Sequence, residues 1–494
     1  MKRYLLGVDI GTSACKAVAF DLEGRVIMQD TQFYPAEYPR PGWAQQQPED
    51  WWKGACRAIK NITAQIDPAQ ISAVGVDGQS WAAVAVDKEG NALCPTPIWT
   101  DTRSKEECED MRRCMPEESW FQIGMNPLQP GYTLPKILWY KKHRKNVYDT
   151  ARWILQSNSF IVLRLTNRAT QDLSQGYGLQ CFSMKKGTWD REAMEKIGLR
   201  PSLLPDIFPC HEVVGHVTEK AAMETGLIPG TPVVAGGLDA ACATLGVGVI
   251  SPGQTQEQGG QAGGMSLCME ECLGDPRLIL GRHVAPGRFL LQGGTTGGGG
   301  ALKWLRQNIC PELSFEEMSD LAQTVAPGSD GLLFLPYLAG ERSPIWNPDA
   351  KGVFFGLTYA HTRAHMIRAV MEGTAYALLH NIETARKAGG QVRMMRATGG
   401  SANSLVWTQI KSDVTGTNIE VSLSDTSTVL GAAILAGVGA GLYESFEEAA
   451  EKTVRVQRTH TPKEENRGLY AFKYRQYLEL YERLQPMMTG RDQP

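Results

Sequence analysis

Residues 4–27 read YLLGVDIGTSACKAVAFDLEGRVI. Leu5, Leu6 and Val8 lead to Asp9, and Gly11, Thr12 and Ser13 then turn the chain into a second apolar run from Ala17 to Phe20. Short apolar runs on either side of a glycine turn predict strand, tight turn, strand. The plan recurs downstream. PVVAGGLDAACATLGVGVI begins at Pro232, and the chain then passes Pro252 and Gly253 into TQEQGGQAGGMSLCM. There Gly260, Gln261 and Ala262 sit where Gly11, Thr12 and Ser13 sat. A duplicated architecture explains the correspondence.

Outward from these segments, strands alternate with helices. The region from 42 to 70 shows helical spacing at Trp51, Trp52, Ala55, Ile59 and Ile62 after the polar start PED. ISAVGVDGQSWAAVAVDKEGN predicts two strands around Asp77, Gly78 and Gln79, closing on a turn at Glu89, Gly90 and Asn91. His361 to Lys387 predicts a long, mostly buried helix, and Leu430 to Gly441 a small-residue helix that lets another backbone approach closely. A charged amphipathic tail helix over 463–485 ends the chain. The organisation is α/β.

The 494 residues suffice for about two to three ordinary domains. Hydrophobic residues at 42% and charged residues at 21% exclude global disorder, and 52 glycines without a fixed period exclude collagen. With 50 basic and 53 acidic side chains the net charge is −3, so no broad basic surface exists for a nucleic acid or an anionic membrane. A small-molecule substrate is expected instead. The start is polar too early for a signal-peptide core, and no apolar run is long enough to predict a membrane span. The 11 cysteines, odd in number and without a CxxC pair, read as reduced thiols in the cytoplasm. Cys268 and Cys272, with His283 nearby, form either a metal half-site or ordinary packing.

Asp9 before Gly11, Thr12 and Ser13 places a carboxylate at a strand end beside backbone N–H groups and hydroxyls suited to an anion. Phosphates so close to a carboxylate need a cation between them, and Mg²⁺ takes one or two carboxylates together with phosphate oxygens. The alternative is a turn in which Asp9 caps its own backbone. Glycine clusters at 259–264, 293–300 and 398–403 suggest a nucleotide bridging two domains, although each also serves as a tight turn. Asp239 follows an apolar strand and precedes a small-residue helix, as either a general base or a helix cap. Asp101 and Arg103 in PIWTDTRS either bind hydroxyls or pair with each other.

GVDIGTSACKAVAFD, PIWTDTRS, PVVAGGLDAACATLGVGVISPG, LPYLAGERSPIWNPDAKGVFFGL and GGSANSLVWTQIKSDVTG together resemble the FGGY carbohydrate kinases, and within them the xylulokinase branch. The resemblance runs in order along essentially the whole chain. It implies two actin-like (ribonuclease H-like) ATPase domains, over 1–247 on the sugar and Mg/phosphate side and 248–494 on the nucleotide side, with a cleft between them. Carried over by position, Asp9 resembles the family's Mg²⁺-associated aspartate, Gly11, Thr12 and Ser13 its first phosphate loop, and Asp239 its catalytic base. Gly399, Gly400 and Asn403 resemble the adenosine-binding loop, and Gly297 to Gly300 a glycine turn beside the nucleotide. Gln79, Ser80, Trp81, Asp101 and Arg103 fall at the sugar end.

The chain departs from the pattern at informative places. The second phosphate loop, usually Gly-Thr-Ser or Gly-Thr-Gly, reads Gly260, Gln261 and Ala262, so a hydroxyl is missing. Ala240 replaces the Asn often found after the catalytic Asp. Ser80 and Trp81 fall where xylulokinases carry Met-His after Ser-Gly-Gln, and an indole offers an apolar face and one N–H in place of an imidazole. The implied activity is phosphoryl transfer from ATP, with Mg²⁺, to a ketopentose such as xylulose; another ketose, deoxy sugar or polyol is the alternative. A chaperone-type or filament ATPase and a weakened, sugar-sensing homologue are the competing classes, and a homodimer is compatible with any of them.

Overall fold

The computed structural model describes residues 3–422 and 426–488. In the first half, β1 (Tyr4–Ile10), β2 (Ala14–Asp21), β3 (Val26–Phe33), β4 (Ile71–Gly78), β5 (Val213–His216) and β6 (Pro232–Val234) form one sheet. Their order is β5-β6-β4-β1-β2-β3, and β7 (Gly237–Leu238) also pairs with β4. In the second half, β8 (Gln254–Gly259), β9 (Gly263–Met269), β10 (Ile279–Arg282), β11 (Phe289–Thr295), β12 (Met394–Thr398), β13 (Ile419–Ser422) and β14 (Val456–His460) form another, ordered β10-β11-β9-β8-β12-β13-β14.

The expected duplication is visible in the pairing. β1 runs antiparallel to β2 and β2 to β3, while β1 is parallel to β4 and β4 to β6. Likewise β8 is antiparallel to β9 and β9 to β11, while β8 is parallel to β12 and β12 to β13. The turn at Gly11, Thr12 and Ser13 joins the first pair as Gly260, Gln261 and Ala262 join the second. This is the actin-like ATPase arrangement, and each sheet is mixed.

Helices cover the sheets: α1 (Pro48–Thr63), α2 (Thr133–His143), α3 (Asp239–Gly246), α4 (Gly299–Ile309), α5 (Phe315–Gln323), α6 (Arg363–Lys387), α7 (Leu405–Thr415), α8 (Ser427–Gly439) and α9 (Glu464–Met488). The expected helix over 42–70 is real but narrower, because the chain before Pro48 pairs as short extended segments and Pro48 starts the helix. Strand alternation sorts the first sheet into two faces. Leu6, Val8 and Ile10 with Val74 and Val76 face α1, where Trp51, Ala55 and Ile59 are buried. Each large apolar side chain buried there contributes about 1.5–3 kcal/mol.

Leu5, Gly7 and Asp9 and, beside them, Ala73, Gly75 and Asp77 alternate onto the opposite face. Here α8, from the second half, lies against the first sheet: a Cβ on Gly75 would stand 1.9 Å from the Ala432 carbonyl oxygen. Next to it, a Cβ on Gly431 of α8 would stand 1.9 Å from the Cys242 carbonyl oxygen of α3. Only glycine permits contact this close, as the small-residue run of α8 suggests. The tail helix α9 is tied to α6 by Tyr470, whose hydroxyl donates to Glu372 at 3.0 Å and accepts from Arg368 at 3.1 Å.

Candidate active site

The carboxylates gather where the first sheet ends. Asp9 and Asp77 are register partners on the parallel strands β1 and β4, and β7 delivers Asp239 to the first turn of α3. Asp9 and Asp239 are half-buried, and Asp77 is fully buried behind them. Burial pushes Asp9 up to about 6, with Asp77 within hydrogen-bonding reach and the charge of Lys16 opposing. Burial and the charge of Asp9 push Asp239 up to about 7, opposed by the Ala240 N–H. Burial and both neighbouring aspartates raise Asp77 well above the usual carboxylate range. Asp239 therefore caps no distant amide, and it sits poised to take up a proton near neutral pH. Asp77 was not among the candidate site residues of the sequence, which places it with Gly78 and Gln79 between two strands; in the structure it lies within β4.

The first loop is held from behind. Thr12 accepts a hydrogen bond from Trp99 Nε1 at 2.9 Å and donates to Gln79 Oε1 at 3.3 Å, while Gln46 Nε2 donates to the Thr12 carbonyl at 2.7 Å. Gln79 Nε2 in turn donates to Gln46 Oε1 at 2.9 Å, so the Gln79 side chain is committed to this loop. Ser13 is exposed. Asp101 and Arg103 pair with each other at 2.8 Å and are buried to 0% and 4% exposure. Asp101 also accepts the Ala44 N–H at 2.6 Å, and Arg103 stacks 3.8 Å over Trp43. The pairing reading of these two residues is therefore realised in the structure.

An aromatic wall stands beside the acids. Trp81 has a left-handed backbone, φ 59°, and packs 4.6 Å from Tyr132 and 5.6 Å from Tyr177, ring centre to ring centre. Its Nε1 is buried without a partner, and Ser80 accepts a long 3.5 Å bond from Tyr177. Lys136 of α2 fixes the strained turn by donating to the carbonyls of Trp81, Ile98 and Gly131 at 2.9, 2.8 and 2.6 Å. Burial lowers its amine to about 7. Sequence reading missed Lys136, whose only signal is a cation inside an apolar helix face.

On the other side of the cleft, Gly260, Gln261, Gly400 and Asn403 line a cavity of about 760 Å³, walled by α5 through Phe315 and Gln323. The second loop docks on the start of α4, where Gly299 and Gly300 N–H donate to the Gly260 and Gln261 carbonyls at 2.7 and 2.8 Å. Gly297, Gly300 and Gly399 are not among the residues lining this cavity but pack tightly in the turns next to it: a Cβ on Gly297 would meet the Pro336 oxygen at 2.1 Å, and one on Gly399 would stand 2.9 Å from the Gly259 carbonyl. Glu341 Oε1 clamps the same turn by accepting Thr296 N–H at 2.8 Å and Arg342 N–H at 2.7 Å. Below the loop at Gly399 to Asn403, buried Lys411 donates to Glu257 and to Ser401, each at 2.6 Å. These supports, like the α5 wall, were not visible in the sequence.

The donor set fits a divalent cation. Asp9 Oδ1 and both Asp77 oxygens are buried without a hydrogen-bond donor, as hard oxygen ligands awaiting a cation would be. The thiols offer no rival centre: His283 uses both ring nitrogens, one on the Val249 carbonyl at 2.9 Å and one accepting Ala285 N–H at 2.8 Å. Cys268 and Cys272 thus read as packing, and all 11 cysteines are free. Among the described residues no helix is long and apolar enough to cross a membrane.

A mixed two-domain α/β fold with acids on one side of a cleft and glycine loops on the other defines a nucleotide-using phosphotransferase. Comparison with known proteins carries this further. The N-terminal domain of the FGGY family of carbohydrate kinases matches residues 4–246, and the C-terminal domain of that family matches 277–440. The chain belongs to the FGGY carbohydrate kinases. It is 29% identical to the xylulose kinase of Bacillus subtilis, across 99% of this chain and 98% of that one. It is 31% identical to the gluconokinase of the same organism, across 99% and 97%. The crystal structure of xylulose kinase from Rhodospirillum rubrum superposes with a TM-score of 0.91 at 28% identity, covering 99% of this chain and 100% of that one.

Proposed function

We propose that the protein transfers the γ-phosphoryl group of ATP to a hydroxyl of a small sugar, most simply a ketopentose such as xylulose, with Asp239 as general base. The single observation that carries this reading is the Asp239 carboxylate, raised to about 7 and half-open at the cleft beside the phosphate loop. As the sugar oxygen attacks the γ-phosphorus, its proton passes to Asp239, and the bond to the β-bridging oxygen breaks so that ADP leaves with that electron pair. A positioned base of this kind contributes on the order of 10²–10⁴-fold. Gly11, Thr12 and Ser13 from one side and Gly260 and Gln261 from the other would hold the phosphates, with Gly400 and Asn403 beside the adenosine. Asp9 would hold Mg²⁺, which when bound neutralises charge on the phosphate oxygens. The boundary between the sugar-side and nucleotide-side domains falls in this reading at 247/248.

A second acceptor class is favoured by one feature. Trp81, with Tyr132 and Tyr177, would give the acceptor pocket an aromatic wall, which suits another ketose, a deoxy sugar or a polyol. Acceptor-stimulated ADP release, measured over ketopentoses, hexuloses, polyols and sugar acids, tests both. Release with none of them would refute the kinase reading of this site.

A further inference from the structure

Phosphoryl transfer as drawn above leaves a fully buried carboxylate unused. Asp77 faces Asp9 across adjacent parallel strands, is 0% exposed, and neither of its oxygens meets a donor. Asp9 Oδ1 is buried in the same condition. Lys16, paired in register with Asp9 across β2, makes no ion pair with either acid among the described residues. A carboxylate stripped of water and left without a donor is costly, so some partner has to be supplied.

Counting separates the two partners available. One proton shared between the acids makes a single O–H···O bond and satisfies two of the three orphaned oxygens. A divalent cation accepts all three, from one carboxylate through both oxygens and from the other through one. We propose that Asp77 is a ligand of the same divalent cation as Asp9, and that the protein therefore retains its metal in the absence of nucleotide. The inference rests on the reading of Asp9 given above. It leaves Asp239 outside the pair, free to accept the proton.

Binding of Mn²⁺ to the nucleotide-free, full-length protein, followed by the loss of the free-ion electron paramagnetic resonance signal, tests this. Saturable binding is expected, weakened tenfold or more in both Asp77→Asn and Asp77→Ser, with the Mn²⁺-induced rise in Tm shrinking in step. No saturable binding by the parent, or equal affinity in either folded variant, overturns the proposal and leaves the acids sharing a proton. Asp9→Asn separates the two readings. Affinity lost in the Asp77 variants and kept in Asp9→Asn removes Asp9 from the metal while Asp77 stands; affinity lost in Asp9→Asn alone removes Asp77.

Discussion

Asp239 Oδ1 accepts the backbone N–H of Ala240 at 2.6 Å, and this is the only hydrogen bond the carboxylate makes among the described residues. One oxygen is anchored and the other is left for a substrate. Asp239→Asn keeps the shape and removes the proton acceptor, so kcat should fall about 100-fold or more with Tm and ATP affinity nearly unchanged. Near-normal turnover would remove Asp239 from the chemistry.

The raised carboxyls give the protein a pH signature. Folded Asp9 and Asp239 titrate at about 6 and about 7, above the 3.8 of an unperturbed aspartate, so between those values the folded state binds more protons than the unfolded state. Their contribution to stability is therefore present at low pH and lost as pH rises from about 4 to about 7. In chelator, Tm should show this fall, and added divalent cation should flatten it. Over the same range kcat/KM should climb as Asp239 ionises; a flat rate profile from pH 5.5 to 8 would count against its role as base.

Gln261, proposed above to hold phosphate, is exposed, with its carbonyl fixed by the Gly300 N–H. Gln261→Thr restores a hydroxyl at a turn whose backbone is already set, so it should be tolerated and raise turnover, since one well-aimed donor is worth about 3 kcal/mol at best. If Gln261→Thr and Gln261→Ala both leave turnover unchanged, the side chain does not touch phosphate.

Trp81 packs its ring beside Tyr132 and Tyr177, and in the function proposed above this ring faces the acceptor. Trp81→His should shift relative kcat/KM toward D-xylulose, by about 1–3 kcal/mol per polar group newly satisfied. A parent enzyme that already prefers D-xylulose at roughly 10⁴ M⁻¹s⁻¹ or above contradicts this expectation.

Lys411 holds Ser401, in the loop proposed above to lie beside the adenosine, and is itself held by buried Glu257. Lys411→Met leaves Glu257 uncompensated and should cost about 3–5 kcal/mol of stability while raising KM for ATP. Adding Glu257→Gln should recover much of the Tm without restoring the KM. Recovery of both would mean that Lys411 serves stability alone.

The duplication was legible because a strand, a glycine turn and a strand leave a pattern that one sequence shows twice, at residues 4–20 and 254–269. The helix at His361 to Lys387 appeared as Arg363–Lys387, since a long apolar stripe leaves little freedom in placing its ends. Single charges inside apolar surroundings were not legible. Asp77, Lys136 and Lys411 each occupy one position on an otherwise ordinary element, and their roles arise from partners 68, 55 and 154 residues away in sequence, brought near only by folding. Asp101 and Arg103 show the converse: two residues apart, they were equally compatible with binding hydroxyls and with pairing, and the structure shows the pair.

The contact of α8 with the first sheet bears on how the protein can be made and divided. The strands carrying Asp9 and Asp77 leave the ribosome long before the helix whose carbonyls lie against Gly7 and Gly75. Until then that face of the nascent sheet has no cover, and a fragment ending after the first half would expose small apolar residues directly beside its acids. The halves are thus interlocked, neither one a free-standing module, and a chain cut between them should regain its acidic centre only by complementation, when both pieces are present to assemble.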